Sequence, residues 1–523
     1  MLAAARDHRK LASASDVQKL SRVELLVVIF CIAAILAANL VTAELYPRAW
    51  NDEAQWVDPA INLLRGNGLT SSTWYYSLFG QFWFGNTPLY PAVLSVWAKI
   101  TGDGFTALRS LSFVWISLAA LLLYQFACRS SELISARSRI ALALVPLLGY
   151  GVTFAYRSAR PDALCIFLMA LLLVATTLKN PALRRGSVIG VSALLPWAEP
   201  ALVAYAVGAA VLIVLGSGRR HLRPILWMAT GLTAGLFLMF AFYAAAGHLK
   251  DFLITTLLSQ RSVFGQAAQY IVLSDDRGAA RFMPSAILGA LTEDPSTVLG
   301  FLAAAILLTM ARVRRSPEVA YRLRASIAAA VLIPFGMYCA GQFNTYYSWM
   351  ALVPTWFFLL AAVDRLEGPA RLEQTIAYAF LACSLLVGWP LLVGASVVDA
   401  SRRDYGQVRE LVGQAVRPGE WALVSPQAYF AVVETGGVPF LGEWYATSRL
   451  MPNIPDDEQK RFSAIVTTPR EADKFLARLP GHWTKVASLR DTNHPIPVLS
   501  WLLAPDHNLK SDSYDLNAYR RTP

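Results

Sequence analysis

The sequence predicts a polytopic, all-α membrane protein with about eleven transmembrane helices, followed by a small C-terminal α/β domain. Three observations support this fold class. The 523 residues are 55% hydrophobic and only 15% charged, whereas soluble proteins carry about 25% charged residues. Apolar runs long enough to cross a bilayer recur through most of the chain. After the last of these runs, short strand and helix patterns replace them.

A helix needs about 20 apolar residues to cross the hydrocarbon core of a bilayer, and the sequence contains about eleven runs of this kind. The fifth run is short and ends in the sequence PWAEP, so its boundaries are the least defined. The predicted spans lie near residues 22–43, 106–127, 139–156, 162–178, 186–196 with its continuation, 198–216, 223–246, 296–311, 325–342, 346–363 and 374–396.

The positions of Lys and Arg predict the orientation of the chain. Basic residues are concentrated before the first span and in alternate loops, and such loops are usually cytoplasmic. The N-terminus is therefore predicted to be cytoplasmic, and an odd number of spans places the C-terminus outside. This topology signal accounts for the net charge of +11, so nucleic acid is not expected as a partner. We expect a multi-pass protein of the plasma (inner) membrane.

The predicted organisation has three parts. Residues 1–21 form a cytoplasmic N-terminus, and residues 22–397 form the transmembrane domain. Residues 398–523 form an α/β domain on the periplasmic or extracellular face. In this last part EWALVSP, FSAIVTTP and WTKVASL have the composition of short strands, while YGQVRELVGQAV and READKFLARL have helical periodicity.

The first outer loop, at about residues 44–105, carries an acidic pair close to the membrane. In the sequence YPRAWNDEAQWVDPAINLLRGNG, Asp52 and Glu53 are adjacent, and Asp58 follows one to two helical turns later. The amphipathic and aromatic stretches around them predict helices that lie in the interface plane. A carboxylate pair near the bilayer surface persists when it is paired, metal-bound or functional. The alternative is a solvated pair on a surface loop.

The second outer loop, YRSARPDAL, is very short. Pro161 suits the first position of a helix, and Asp162 then lies in the first turn, where the helix dipole favours an anion. Arg157 and Arg160 stand just before it at the predicted membrane surface. These charges either belong to a functional site or are a helix-terminal acid with two interfacial arginines.

Taken in order, several motifs resemble the GT-C membrane glycosyltransferases. The likeness is strongest to the branch that contains the protein O-mannosyltransferases and the bacterial lipid A aminoarabinose transferase. It covers about residues 20–365, through DEAQWVDPAINLLRGNGL, NTPLYPAVLSVWAKITG, YRSARPDAL, HLKDFLITTLLSQR and NTYYSWMALVPTWFFLLAA. No single motif is specific, but their order and topology are. The C-terminal domain differs from the large lumenal domain of the mannosyltransferases, which leaves the acceptor open.

The resemblance implies an inverting glycosyltransferase of the GT-C type, with its catalytic machinery in residues 22–397. Such enzymes move a sugar from polyprenyl phosphate to an acceptor on the outer face, and an acid just after the first span is essential. Inversion needs one base opposite the leaving group. The leaving lipid phosphate needs no protonation, but it needs positive charge nearby. The acceptor is a lipid, a glycan or a protein.

Positions within these motifs give the predicted site residues. Asp52 is the expected general base. Glu53 is the second candidate, or it orients Asp52 or helps bind a cation, and Asp162 supports the site. A fork of donors suits phosphate oxygens, so arginines are expected to bind the donor phosphate, with one lysine as a weaker candidate. These cations are Arg157, Arg160, Arg261 and Lys99. The tyrosines that line the sugar or polyprenyl groove, unless they are only belt aromatics, are Tyr90, Tyr346 and Tyr347.

The metal requirement and two other functional classes stay open at this stage. The acidic pair could bind a divalent cation through oxygen ligands, and no His or Cys spacing indicates a metal site. The alternatives are a multi-span transporter and a non-catalytic membrane protein of envelope assembly. Transporters usually carry polar groups at mid-membrane on broken helices, whereas polar residues here cluster on the outer face. Glu199, in PWAEP, is the main exception and is expected at a membrane edge.

Overall fold

A computed structural model describes residues 22–74, 82–216, 222–254, 294–339, 345–366, 371–442, 456–490 and 514–522. Most of these residues form a bundle of helices, and the C-terminal part forms a five-stranded sheet with helices packed on it. The helices are numbered here in chain order. They are α1 (Arg22–Val41), α2 (Asn51–Leu64), α3 (Leu89–Thr101), α4 (Phe105–Arg129), α5 (Ala136–Leu148), α6 (Tyr150–Tyr156), α7 (Asp162–Thr176), α8 (Pro181–Ala198), α9 (Pro200–Gly216), α10 (Arg223–Ala245), α11 (Leu249–Phe252), α12 (Pro295–Thr309), α13 (Ala311–Arg314), α14 (Pro317–Cys339), α15 (Trp349–Val363), α16 (Arg371–Leu386), α17 (Trp389–Val398), α18 (Tyr405–Ala415), α19 (Tyr429–Glu434), α20 (Asp456–Gln459) and α21 (Pro469–Arg478).

All eleven apolar segments predicted as spans are helical in the described residues. Five helical segments there are long and apolar enough to cross a membrane: α1, α4, α10, most of α14, and α16 together with α17. The α5 and α6 pair makes a sixth if it counts as one span, with a bend of 57° between the two axes. The helices α7, α12, α15 and the described part of α9 are apolar but shorter. The figure of about eleven spans therefore stays a prediction.

The first predicted outer loop contains the two helices α2 and α3, which pack against each other. The acids Asp52 and Glu53 lie in the first turn of α2, where the positive end of the helix dipole stabilises them. An unbroken run from Glu53 to Ile61 is buried, so protein surrounds this part of α2 on all sides. The presence of helices here agrees with the sequence, while their depth in a bilayer stays a prediction.

The C-terminal sheet has the strand order β2-β1-β3-β5-β4. Strand β1 pairs in parallel with β2 and β3, and β5 pairs antiparallel with β3 and β4. The strands are β1 (Trp421–Val424), β2 (Val438–Leu441), β3 (Phe462–Thr467), β4 (His482–Leu489) and β5 (Leu516–Thr522). The predicted α/β character is confirmed, since β1, β3 and β4 are the three predicted strands. Strands β2 and β5 were not predicted.

Polar contacts fix the sheet region to the bundle near the start of α4 and the end of α1. The Arg409 guanidinium on α18 lies 2.6 Å from Glu44 and 2.6 Å from Glu434. The backbone N–H of Phe105, at the start of α4, donates to Glu434 at 2.8 Å. Burial raises the pKa of Glu44, but the hydrogen bond and charge of Arg409 outweigh this effect, so the pKa lies below its ordinary value.

The buried Asp58 on α2 makes a second junction with the sheet region. Its carboxylate accepts hydrogen bonds from the Ser72 N–H at 2.6 Å, the Ser71 hydroxyl at 2.9 Å and the Tyr429 hydroxyl at 3.0 Å. Burial raises the pKa of Asp58, and these donors act in the opposite direction. Asp58 thus connects α2 both to the loop that follows this helix and to α19.

Candidate active site

Asp52 is the accessible carboxylate of the acidic pair. Its side chain is 29% exposed. The Oδ2 atom is 3.1 Å from the NH1 of Arg160 and accepts a hydrogen bond from the Tyr346 hydroxyl at 3.2 Å. A nearby guanidinium favours the ionised form of a carboxylate. Asp52 therefore combines three properties of a general base: negative charge, a fixed orientation and partial exposure to solvent.

Arg160 is the buried cation at the centre of the site. Its Nε lies 3.1 Å from Asp162 Oδ2, so one guanidinium bridges Asp52 and Asp162. Its NH2 donates to the Tyr347 hydroxyl at 3.3 Å. The guanidinium also lies 4.1 Å from the ring centre of Tyr346. Carboxylates and aromatic faces stabilise a cation that has left water, and they hold its charge in one place.

Asp162 is fully buried at the first position of α7, as the sequence predicts for an acid in the first turn. In addition to the ion pair with Arg160, the Asp162 carboxylate accepts a hydrogen bond from the Trp349 indole at 3.4 Å. Trp349 is itself fully buried at the start of α15. Asp162 is thus positioned to hold Arg160, and through it Asp52, rather than to meet a substrate directly.

Glu53 has a different environment from its neighbour. The side chains of Glu53 and Arg109 are both fully buried, and they form a two-pronged pair at 2.7 and 2.6 Å. The backbone N–H of Ala159, in the loop before α7, donates to Glu53 at 2.7 Å. These contacts join α2, α4 and the α6–α7 loop. Of the roles predicted for Glu53, orientation of the site fits this geometry, whereas a base needs access that a fully buried pair does not give.

Arg109 was not among the numbered site candidates, although the sequence places an arginine at the start of the second span. Besides the pair with Glu53, its NH1 donates to the backbone carbonyls of Pro47 and Ala43. The chain between α1 and α2 is therefore tied to α4 by one guanidinium. A buried arginine at the start of an apolar helix requires a partner, and this rule is the signal that could have matched it to the acidic pair.

Arg157 makes contacts that disfavour the predicted phosphate-binding role. Its guanidinium donates to the Tyr46 carbonyl at 2.8 Å, to the Thr42 carbonyl at 2.6 Å and to the Asn39 side chain. All three acceptors lie at or just after the end of α1. Arg157 is completely buried, so its hydrogen bonds tie the α6–α7 loop to the first helix. A role in donor binding stays a prediction.

Of the remaining predicted residues, only two tyrosines lie beside Asp52 and Arg160 in the described part of the chain. Tyr346 and Tyr347 form part of a short 3-10 turn beside Asp52 and Arg160. Tyr90 is fully buried on α3, with its hydroxyl 3.5 Å from that of Ser112. Lys99 is exposed in the last turn of α3. Arg261 lies outside the described residues.

Glu199 is buried, and it occupies the break between α8 and α9. Asn86 donates its side-chain N–H to the two carboxylate oxygens, at 3.3 and 3.5 Å. The Asn86 carbonyl in turn accepts a hydrogen bond from the Tyr243 hydroxyl at 2.6 Å. The position of Glu199 at a membrane edge, expected from the sequence, stays a prediction. The burial of Glu199 is explained by Asn86, which lies more than a hundred residues away and could not be matched to it from the sequence.

The sequence left undecided whether the site binds a divalent cation. Within the described part of the chain, no group of three or more His, Cys, Asp or Glu side chains is arranged to hold a metal ion. The Glu53 carboxylate, which the sequence offered as a ligand, is already paired with Arg109. The Oδ2 atom of Asp52 contacts Arg160 and Tyr346.

Comparison with known proteins gave similarity in structure only. No family model matches the chain, and no curated protein matches it. Among solved structures, ArnT from Cupriavidus metallidurans bound to undecaprenyl phosphate is 14% identical over 94% of this chain and 97% of its own, with a TM-score of 0.42. The arabinofuranosyltransferase AftD from Mycobacteria is 16% identical over 97% of this chain, with a TM-score of 0.48. This chain spans only 40% of AftD.

A third match is the oligosaccharyltransferase AglB from Archaeoglobus fulgidus in complex with an inhibitory peptide and a dolichol-phosphate. It is 11% identical over 86% of this chain and 71% of its own, with a TM-score of 0.42. All three proteins are GT-C glycosyltransferases, the superfamily that the sequence resembles. At these identities and TM-scores the likeness concerns overall shape and says nothing about the chemistry of this chain.

Proposed function

We propose that this chain is an inverting membrane glycosyltransferase. It moves a sugar from a polyprenyl-phosphate donor to a hydroxyl group of a lipid, glycan or protein acceptor at the predicted outer face. The observation that carries the proposal is the pairing of a partly exposed carboxylate, Asp52, with a buried and fixed cation, Arg160. A base for the acceptor and positive charge for the leaving phosphate are the two things that this reaction needs.

In the proposed reaction Asp52 takes the proton of the acceptor hydroxyl as its oxygen attacks the anomeric carbon. The new bond forms between this oxygen and the anomeric carbon while the bond from that carbon to the phosphate oxygen breaks. The lipid phosphate leaves with the electron pair, and the configuration at the anomeric carbon inverts. Arg160 is placed to stabilise the negative charge that develops, and the Tyr347 hydroxyl beside it is a further polar contact.

A second candidate function is a multi-span transporter. Two features support it: the bend of 57° between α5 and α6, and the buried Glu199 in the break between α8 and α9. Transporters use broken helices and buried acids to bind their cargo. The two proposals differ in their products, because only a transferase consumes a lipid-linked sugar.

The first test is mass spectrometry of the lipids that copurify with three proteins: the unmodified chain, Asp52→Asn and Asp103→Asn. Asp103 is the matched control, because it is an acid of the same loop whose side chain is 41% exposed and stands 3.8 Å from its partner Arg65. A transferase without its base should bind donor and leave it intact. We therefore expect Asp52→Asn alone to be enriched in a polyprenyl-phosphate sugar, whose mass also identifies the sugar.

The contradicting result is equally definite. If all three folded proteins carry the same bulk phospholipids and no lipid-linked sugar, the donor class proposed here is wrong. Loss of a positioned general base typically lowers a rate about 100- to 10,000-fold. Transfer by Asp52→Asn with donor and acceptor from native membranes should fall by that amount, while Asp103→Asn should stay close to the unmodified protein.

A further inference from the structure

A cavity of about 400 Å³ lies at the end of the bundle opposite to the candidate active site. Helix α7 begins at Asp162 in the site and ends at Thr176 on the wall of this cavity. Fifteen helical residues span about 22 Å, so the two places are separate. The ends of α7 and α9 and the beginnings of α8 and α10 meet around the cavity. We name it the arginine pocket, after a lining that includes Thr176, Arg184, Arg185, Val214, Arg223 and Trp227.

The arginine pocket is positively charged. Three arginines and no carboxylate are present among the described residues that line it. The Nε of Arg184 is buried and has no hydrogen-bond acceptor within the described part of the chain. An unsatisfied buried donor costs free energy, and the cost is greater for a charged group. An oxyanion bound in the pocket would supply both the charge and the missing acceptor.

The surroundings of the pocket favour an anion that is attached to a lipid. Val214 belongs to the apolar α9, and Trp227 belongs to α10, a candidate membrane span. The guanidinium of Arg184 lies 6.0 Å from the Trp227 ring. Tryptophan is typical of membrane–water interfaces. Basic pockets between membrane helices on the cytoplasmic side bind phosphate-bearing lipid head groups, and the predicted topology assigns this end of the bundle to that side.

We propose that the arginine pocket binds the phosphate of an anionic phospholipid of the cytoplasmic leaflet. Arg184, Arg185 and Arg223 hold the phosphate oxygens, and the acyl chains lie along the apolar surface of α10. Inorganic phosphate shares the oxyanion but lacks the apolar part, so it is the soluble competitor to compare. This inference concerns the end of the bundle away from Asp52 and does not depend on glycosyl transfer.

The test is native mass spectrometry of the full chain released from nanodiscs of phosphatidylglycerol mixed with phosphatidylcholine. The pocket variant is Arg184→Gln/Arg185→Gln/Arg223→Gln. The control variant is Arg312→Gln/Arg314→Gln/Arg315→Gln, which removes the same charge from the next predicted cytoplasmic loop. We expect the unmodified chain to retain phosphatidylglycerol selectively. The pocket variant should bind it on the order of 100-fold more weakly, and the control should change less than about threefold.

Each other outcome overturns the proposal. Equal losses in the two triple variants would show general surface attraction, and absence of a preference over phosphatidylcholine would exclude an anionic site. Retained phosphatidylglycerol should survive millimolar inorganic phosphate, whereas complete displacement would identify a site for soluble phosphate instead. Should the pocket variant not fold, the exposed Arg185→Gln alone gives the same comparison, with an expected loss of about fivefold.

Discussion

Replacing Glu53 by Gln tests the division of roles within the acidic pair. The Glu53 and Arg109 side chains are both fully buried. The carboxylate accepts two hydrogen bonds from this guanidinium and one from the Ala159 N–H. Gln has nearly the same shape, but its Nε2 is a donor that would face these donors. The substitution therefore leaves a buried positive charge without its counter-ion.

The expected magnitude follows from these contacts. Removing one partner of a buried ion pair costs about 3–5 kcal/mol. Arg109 keeps its hydrogen bonds to the Pro47 and Ala43 carbonyls, so we expect the lower part of this range, about 3 kcal/mol. The Asp52 side chain is 29% exposed, and breaking an ion pair with solvent access costs about 1 kcal/mol or less. Glu53→Gln should therefore lower the free energy of unfolding far more than Asp52→Asn does.

Thermal unfolding of both variants in one detergent, followed by intrinsic fluorescence, measures the difference. A midpoint for Glu53→Gln equal to that of the unmodified protein would refute the reasoning. The double variant Glu53→Gln/Arg109→Met is the control, because it leaves no unpaired charge in the interior. We expect it to recover part of the lost stability. A loss equal to the sum of the losses in Glu53→Gln and in Arg109→Met alone would also count against the buried pair.

Three further predictions concern the contacts around the site. Tyr346→Phe removes one hydrogen bond to the Asp52 carboxylate and should lower the transfer rate about tenfold, by the usual strength of a hydrogen bond to a charged group; an unchanged rate contradicts this. Tyr429→Phe removes one of the hydrogen-bond donors of the buried Asp58 carboxylate. It should lower the free energy of unfolding by about 1–3 kcal/mol, measured by thermal unfolding. Because Arg409 lowers the pKa of Glu44, the stability from this pair is present above the unfolded pKa of Glu44 and is lost as the pH falls through the folded one. In Arg409→Ala, the thermal unfolding midpoint should fall less steeply as the pH is lowered. A pH dependence equal to that of the unmodified protein would show that the pair contributes nothing to stability.

The helices of the bundle were predictable because a segment that crosses a bilayer must be apolar over a sufficient length. Each such segment must form its backbone hydrogen bonds internally, so a long apolar run predicts a helix. The helix α2 was also predictable, because its acids and amphipathic pattern are local. Motif order predicted Asp52 and Arg160 as residues of one site but not a contact between them, and the structure places these two side chains 3.1 Å apart.

Features that depend on distant parts of the chain were not predictable. Strand β5 lies between β3 and β4 although it is last in sequence, and no local pattern reports such pairing. The sequence could not divide Asp52 and Glu53 into an accessible and a buried acid, because Arg109 and Ala159 decide it. The burial of Glu199 likewise depends on Asn86, from a separate loop. Long-range contacts thus decide which of the predicted charges are open to a substrate.

The most direct test of the central claim is an electron cryo-microscopy structure of Asp52→Asn in nanodiscs, prepared with its copurified lipids. The account predicts a glycosyl phosphate bound at this end of the bundle, with its phosphate beside Arg160 and Tyr347 and its anomeric carbon facing the substituted side chain of residue 52. A lipid-linked sugar bound elsewhere, with Arg160 still enclosed by its carboxylates and distant from any phosphate, would contradict it.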